Sequence, residues 1–193
     1  MASSSTNSYY RSNSDVVKLN TAKKVNFQRF TQNGQIQIYQ SSYRGSYYSI
    51  IRDSLRNAAL GRKVLLVQFM KGGVEQGIAN PVKLCGNLTW VRSSHSFDQY
   101  NSEEIENNEN LKKSIHKSTY ELWNLCKKEL LSSEIDQIIL DEIFLAIQMK
   151  IIDKDDLIST LENRFISGDV ILTGTSIPKD FLLMANQITE LRS

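Results

Sequence analysis

Residues 35–56, QIQIYQSSYRGSYYSIIRDSLR, run from an apolar–polar alternation through a short polar loop with one glycine into apolar side chains at helical spacing. The alternation of QIQIY predicts a strand, and Ile50, Ile51, Leu55, Ala58 and Ala59 predict a helix over 46–60. Gly61 supplies its stop. A strand, a small polar loop and a helix make the layout of a phosphate-binding loop. A working loop reads G-x-x-x-x-G-K-[ST], in which backbone N–H groups cradle phosphate, the lysine reaches it and the hydroxyl serves Mg²⁺. With the register anchored on Gly45, Ser46 takes the lysine position and Tyr47 the hydroxyl position. Arg44 could supply a cation from one residue earlier. The helix beginning near Ser46 still turns its positive end toward an anion. Read alone, these residues favour a plain serine-rich turn over a phosphate site.

Working outward, KVLLVQF (63–69) is a nearly continuous apolar run, which suits a strand covered on both faces. Residues 71–101 read as a long polar loop region with one short apolar piece, VKLCG, and loops of that length are often functional. An amphipathic helix follows over 103–131, with Leu111, Ile115, Leu122, Trp123, Leu125 and Leu130 near one side. DQIILDE (136–142) is a strand ending in two acids. A helix covers about 154–164, DVILTG (169–174) is another buried strand, and IPKDFLLMA opens a helix with Pro178 near its first turn. QITEL closes the pattern as a strand. Strict alternation of strand and helix predicts an α/β fold, with a largely parallel sheet and helices on both faces. Ligands of such folds bind beyond the carboxyl ends of the strands. The loops after Tyr39, Phe69, Leu140 and Thr173 are therefore expected to converge.

Three further stretches bear chemistry. Asp141 and Glu142, at a strand end, either serve a hard cation through oxygen or cap the next helix, and the two readings balance. VQFMKGG (67–73) puts Lys71 and two glycines at the same edge, or else forms a simple turn. Trp90, in the expected loop region, packs on a flat ligand or closes a small satellite core, the second being commoner. Trp123 belongs to a helical stripe and reads as core.

Bulk composition narrows the classes. With 193 residues, the chain suits one domain with a real core, over 34–193, preceded by an arm at 15–33 and a disordered tail at 1–14. A net charge of +2 gives no electrostatic case for nucleic acid or an acidic membrane. No apolar run is long enough to span a bilayer, and MASSSTNSYYRSNSD lacks a secretory apolar core. Cys85 and Cys126 read as free buried thiols in a reducing, cytoplasmic setting. His95 and His116 read as surface or loop residues.

Taken in order, YQSSYRGSYYS, GRKVLLVQFMKGG, NLTWV, ELW, IILDEIFLAIQMKII, DVILTG and ANQITELR resemble the P-loop type ATP:corrinoid adenosyltransferases, over about residues 25–192. The resemblance implies a P-loop NTPase-like (RecA-like) fold, ATP with Mg²⁺, and a corrinoid substrate. In that family the Co(I) corrinoid attacks the 5′ carbon of the ATP ribose and triphosphate leaves. By position, the phosphate loop is Ser41, Ser42, Tyr43, Arg44, Gly45, Ser46, Tyr47 and Tyr48. Lys71 matches the lysine after the second strand, and Trp90 falls in the corrinoid-facing region. The resemblance also implies that Asp141 and Glu142 stand on the metal side, that the arm at 15–33 closes over the site, and that the assembly is a homodimer.

The departures are concentrated at the phosphates. Where the family's loop reads TGDGKGKTTA, this chain has QSSYRGSYYS, with Ser41 and Tyr43 for two glycines, Ser46 for the lysine, and Tyr47 and Tyr48 for the threonines. Thr175 replaces an arginine and Asn186 an aspartate. Tyr43 or Tyr47 is large enough to fill the pocket. Two functions follow: an adenosyltransferase using Arg44 and Lys71 for the missing lysine, or a non-catalytic relative that binds a corrinoid or regulates. A third, weaker one gives Tyr39, Tyr43, Tyr47 and Tyr48 some other flat or anionic ligand.

Overall fold

The computed structural model describes residues 33–44, 47–72, 74–95, 108–165 and 167–191. The expected tail and, but for Asn33, the arm lie outside the described residues, as do loop residues Gly45 and Ser46. The elements are β1 (Ile36–Ser41), α1 (Tyr48–Ala59), β2 (Val64–Gln68), β3 (Val82–Leu84) and β4 (Leu88–Arg92). They continue with α2 (Glu109–Leu130), β5 (Gln137–Asp141), α3 (Ile143–Gln148), α4 (Lys154–Glu162), β6 (Asp169–Gly174), α5 (Lys179–Met184) and β7 (Gln187–Leu191).

The strands form one seven-stranded sheet in the order β3-β4-β2-β5-β6-β1-β7. Every pairing is parallel except β3 with β4. Parallel strands need crossover connections; helices supply them except between β2 and β4, where the described residues of 69–87 hold β3 and no helix. The central strands β2 and β5 are buried at every residue, as continuous apolar runs require when both faces are covered. One face carries the larger core. There Leu65, Val67, Ile138, Leu140, Val170 and Leu172 meet Ile115, Leu122 and Trp123 of α2, Phe144 of α3 and Phe181 of α5. The other face packs Val64, Leu66, Ile139 and Ile171 against Ile50 and Ala58 of α1.

Local sequence explains most boundaries. Asn108 caps α2 by accepting from the Leu111 N–H at 3.1 Å. Asp153 caps α4 by accepting from the Asp156 N–H at 2.9 Å. Gly61 ends α1 at φ +93°, a left-handed turn that costs glycine little. Trp123 is wholly buried, in keeping with its place in the helical stripe. On the exposed side of α1, Ala59 lies at the surface and its expected core role passes to Ser54, whose hydroxyl bonds back to the Ile50 carbonyl at 2.6 Å.

Three expectations about the region 71–101 are overturned. The region 71–101 is not a bare loop, because it holds β3 and β4, joined by a tight turn at Cys85–Asn87. Cys85 (φ +51°) and Gly86 (φ +74°) both take the left-handed conformation that such turns use. Three-residue β3 is largely exposed and shows no alternation, so only its pairing to β4 defines it. In consequence Trp90 stands on a strand and not in a loop, and Cys85 is exposed, whereas Cys126 is buried. Burial pushes the Cys126 thiol far above its ordinary range, so it stays protonated.

Candidate functional site

The carboxyl ends of β1, β2, β5 and β6 bring together side chains from four separate stretches. Asp141 ends β5 and is 3% exposed. Its Oδ1 accepts from the Thr173 hydroxyl at 2.7 Å. Its Oδ2 accepts from the Gln68 amide at 2.6 Å and from Lys71 Nζ at 2.9 Å. Glu142 follows, also buried, and its backbone N–H donates to Thr173 Oγ1 at 2.9 Å. Glu142 holds φ +62°, uncommon for a residue with a Cβ, and it occupies the N-cap position of α3 without a side-chain cap bond. Freed from capping, its carboxylate meets the Arg44 fork, with Nε to Oε1 at 3.0 Å and Nη2 to Oε2 at 2.6 Å. Arg44 Nη2 also donates to the Met70 carbonyl at 3.3 Å. A planar guanidinium matches a carboxylate in this two-point manner, which a lysine cannot do.

Close backbone approach supports the arrangement. A Cβ on Gly174 would meet the Phe144 side chain at 2.8 Å, so β6 and α3 pack only because that position is bare. A Cβ on Gly72 would meet the carbonyls of Ser93 and His95 at 2.2 and 2.3 Å. The segment after Lys71 therefore lies directly against the segment after β4.

Tyr47 is 1% exposed, and its ring lies 5.6 Å from Lys71 Nζ, within cation–π range. The hydroxyl sits near the backbone of Ser41 and Gly174 and, among the described residues, makes no hydrogen bond of good geometry. Burial first, then the charges of Asp141 and Glu142, push its pKa up to about 12, so it stays neutral. Tyr47 thus fills the space at the ends of β1 and β6. Tyr43, the other candidate for that place, is 61% exposed, and Tyr48 is exposed as well. Ser41 is buried and Ser42 exposed.

A hydrogen-bonded chain extends from the acids to Trp90. The Trp90 indole N–H donates to Gln68 Oε1 at 3.0 Å, and the same amide donates to Asp141. The Arg92 guanidinium stacks 4.4 Å above the Trp90 ring. Arg92 also lines a cavity of about 580 Å³, with Asn80, Ser94, Ser118 and Leu122. Among the described residues its Nε is buried without a hydrogen-bond partner, and burial lowers its pKa. Gln68, Thr173 and Arg92 were not foreseen as site residues. For Gln68 and Thr173 the signal was present as single polar residues inside apolar strand runs, KVLLVQF and DVILTG, which need a buried partner.

The acids do not fit a divalent metal as they stand. A magnesium ion needs open oxygen lone pairs in near-octahedral geometry. Both oxygens of Glu142 face Arg44, and both of Asp141 already accept from neutral or cationic donors. Among the described residues no group of three or more His, Cys, Asp or Glu is placed to hold a metal.

The fold and this edge define an α/β protein of the P-loop NTPase-like class. Residues 32–193 match the family described as ATP:corrinoid adenosyltransferase BtuR/CobO/CobP, and the chain belongs to that family. It is 25% identical over 162 residues to the "Corrinoid adenosyltransferase" of Escherichia coli (strain K12), covering 83% of this chain and 78% of that protein. It is 23% identical over 169 residues to the "Corrinoid adenosyltransferase CobA" of Salmonella typhimurium (strain LT2), with the same coverage. No described helix is long and apolar enough to cross a membrane.

Proposed function

We propose that the protein acts in corrinoid adenosylation, moving the 5′-deoxyadenosyl group of ATP to a Co(I) corrinoid. The cobalt electron pair forms the bond to C5′, the C5′–O5′ bond breaks, and triphosphate departs with its electrons. The observation that carries this reading is the convergence of Arg44 and Lys71, from two different loops, on Asp141 and Glu142 at the carboxyl edge of the sheet. Arg44 is 32% exposed, so its fork can leave Glu142 for a phosphate oxygen. The exchange trades one charge-assisted pair, worth about 1.5–3 kcal/mol, for another. Net affinity for ATP is therefore modest. The corrinoid would lie against Trp90, with the Arg92 cavity accommodating its edge. The same reading implies a cytoplasmic protein that forms a homodimer.

A second reading is favoured by Tyr47, which fills the edge, and by the closed charge cluster. Under it the protein keeps the family scaffold and binds a corrinoid, or regulates, without turnover. Calorimetric titration of ATP separates the two. Micromolar binding that weakens on Arg44→Ala supports transfer. No heat at millimolar ATP sinks it and leaves the second reading. Formation of adenosylated corrinoid by the purified protein, with a reductant present, sinks the second.

A further inference from the structure

We infer that Arg44 and Lys71 occupy the place of a divalent cation at the Asp141–Glu142 pair, so that this edge works without a metal and meets anionic ligands through side-chain cations alone. The inference rests on the acid–cation pairing and not on the corrinoid reading. Each carboxylate has its own cation, Arg44 on Glu142 at 2.6 Å and Lys71 on Asp141 at 2.9 Å. Lys71 also stands 4.0 Å from Glu142 Oε1, bridging the pair. Arg44 and Lys71 offset the charges of the two acids, and the Arg92 guanidinium also acts on Asp141, which removes the electrostatic reason for a divalent ion to enter. Geometry adds a second barrier. The Arg44 fork engages both Glu142 oxygens, and the Asp141 oxygens are held by Thr173, Gln68 and Lys71. A metal would have to displace donors on both acids and shed its own water, which magnesium does reluctantly. Arginine suits this substitution because its guanidinium keeps its charge at any physiological pH and is weakly hydrated.

The test uses Mn²⁺ alone, followed by its electron paramagnetic resonance signal, with thermal unfolding in parallel. Neither readout needs nucleotide or corrinoid, so this inference and the adenosylation reading can fail separately. Wild-type protein should show no saturable Mn²⁺ uptake at millimolar metal and no shift in its unfolding midpoint. Arg44→Gln combined with Lys71→Met bares the acids and should bind Mn²⁺ about 10–100-fold more tightly than wild type, with a raised midpoint. Arg44→Gln alone, which keeps a hydrogen-bonding side chain in the loop, should show a smaller gain if the double variant folds poorly. Saturable Mn²⁺ binding by wild type that disappears in Asp141→Asn would overturn the inference. So would variants that fold yet gain no affinity, since the acids would then be no latent metal site.

Discussion

Asp141 and Asp156 each bind a lysine and each connect to a tryptophan N–H, Asp156 directly and Asp141 through one amide, yet they are built differently. Asp156 accepts from the Trp123 indole at 2.7 Å and from Lys127 Nζ at 2.7 Å. Those two donors are four residues apart on α2, one turn of the same helix. Asp156 itself lies in the first turn of α4, where a carboxylate also favours the helix N-terminus. Asp141 instead takes its donors from β2, the segment after β2, and β6, and reaches Trp90 only through Gln68. One cluster ties two helices together and is 31% exposed at the acid, whereas the other is 3% exposed at the mouth of the sheet. Charge paired along helices serves the scaffold. Charge paired across loop-borne ends is where a ligand can compete.

The sharpest way to break this contrast is Asp141→Leu. Removing one partner of a buried ionic network leaves Lys71, Gln68 and Thr173 without their acceptor and should cost about 3–5 kcal/mol in urea unfolding. A loss below about 1 kcal/mol would show the network to be slack and the contrast empty. Asp156→Ala should cost less, about 1–3 kcal/mol, chiefly because the fully buried Trp123 keeps an N–H with no acceptor. Equal losses at the two sites would mean that exposure does not separate them.

The pH dependence of Asp156 sharpens the same point. Burial pushes its carboxyl up, but the hydrogen bonds from Lys127 and Trp123, with the Lys127 charge, outweigh burial and hold it below the ordinary 3.8. A depressed folded value means that the stabilisation is fully present above the unfolded value and lost as pH falls through the folded one. Acid titration of stability should therefore be shallower below the ordinary carboxylate range in Asp156→Asn than in wild type. The smallest effect is expected for Tyr47→Phe. Its hydroxyl makes no hydrogen bond of good geometry among the described residues, so the unfolding free energy should move within about 0.5 kcal/mol, or rise. A loss beyond about 1.5 kcal/mol would reveal a hydrogen bond that holds the tyrosine in place.

Most of the framework could be read from the chain. The alternation of β1, the unbroken apolar runs of β2, β5 and β6, and the stripe of α2 are periodic signals, and each led to the element observed. β3 and β4 escaped because a three-residue exposed strand carries no period, although the Cys85–Gly86–Asn87 turn hinted at a hairpin. At the site, the family resemblance gave only an expectation of where this chain departs from the phosphate loop. It could not say what Arg44 meets, since Arg44 and Glu142 are 98 residues apart.

Sequence pattern therefore settled the alternating α/β order, the acids at the end of β5 and the family, because periodicity and strand-end composition are local properties. The pairing of Arg44 with Glu142, the burial of Tyr47 beside an exposed Tyr43, and the relay from Trp90 to Asp141 came from the folded sheet. Its parallel order brings the ends of four strands, far apart in the chain, to one edge, and that proximity is a property of the topology alone.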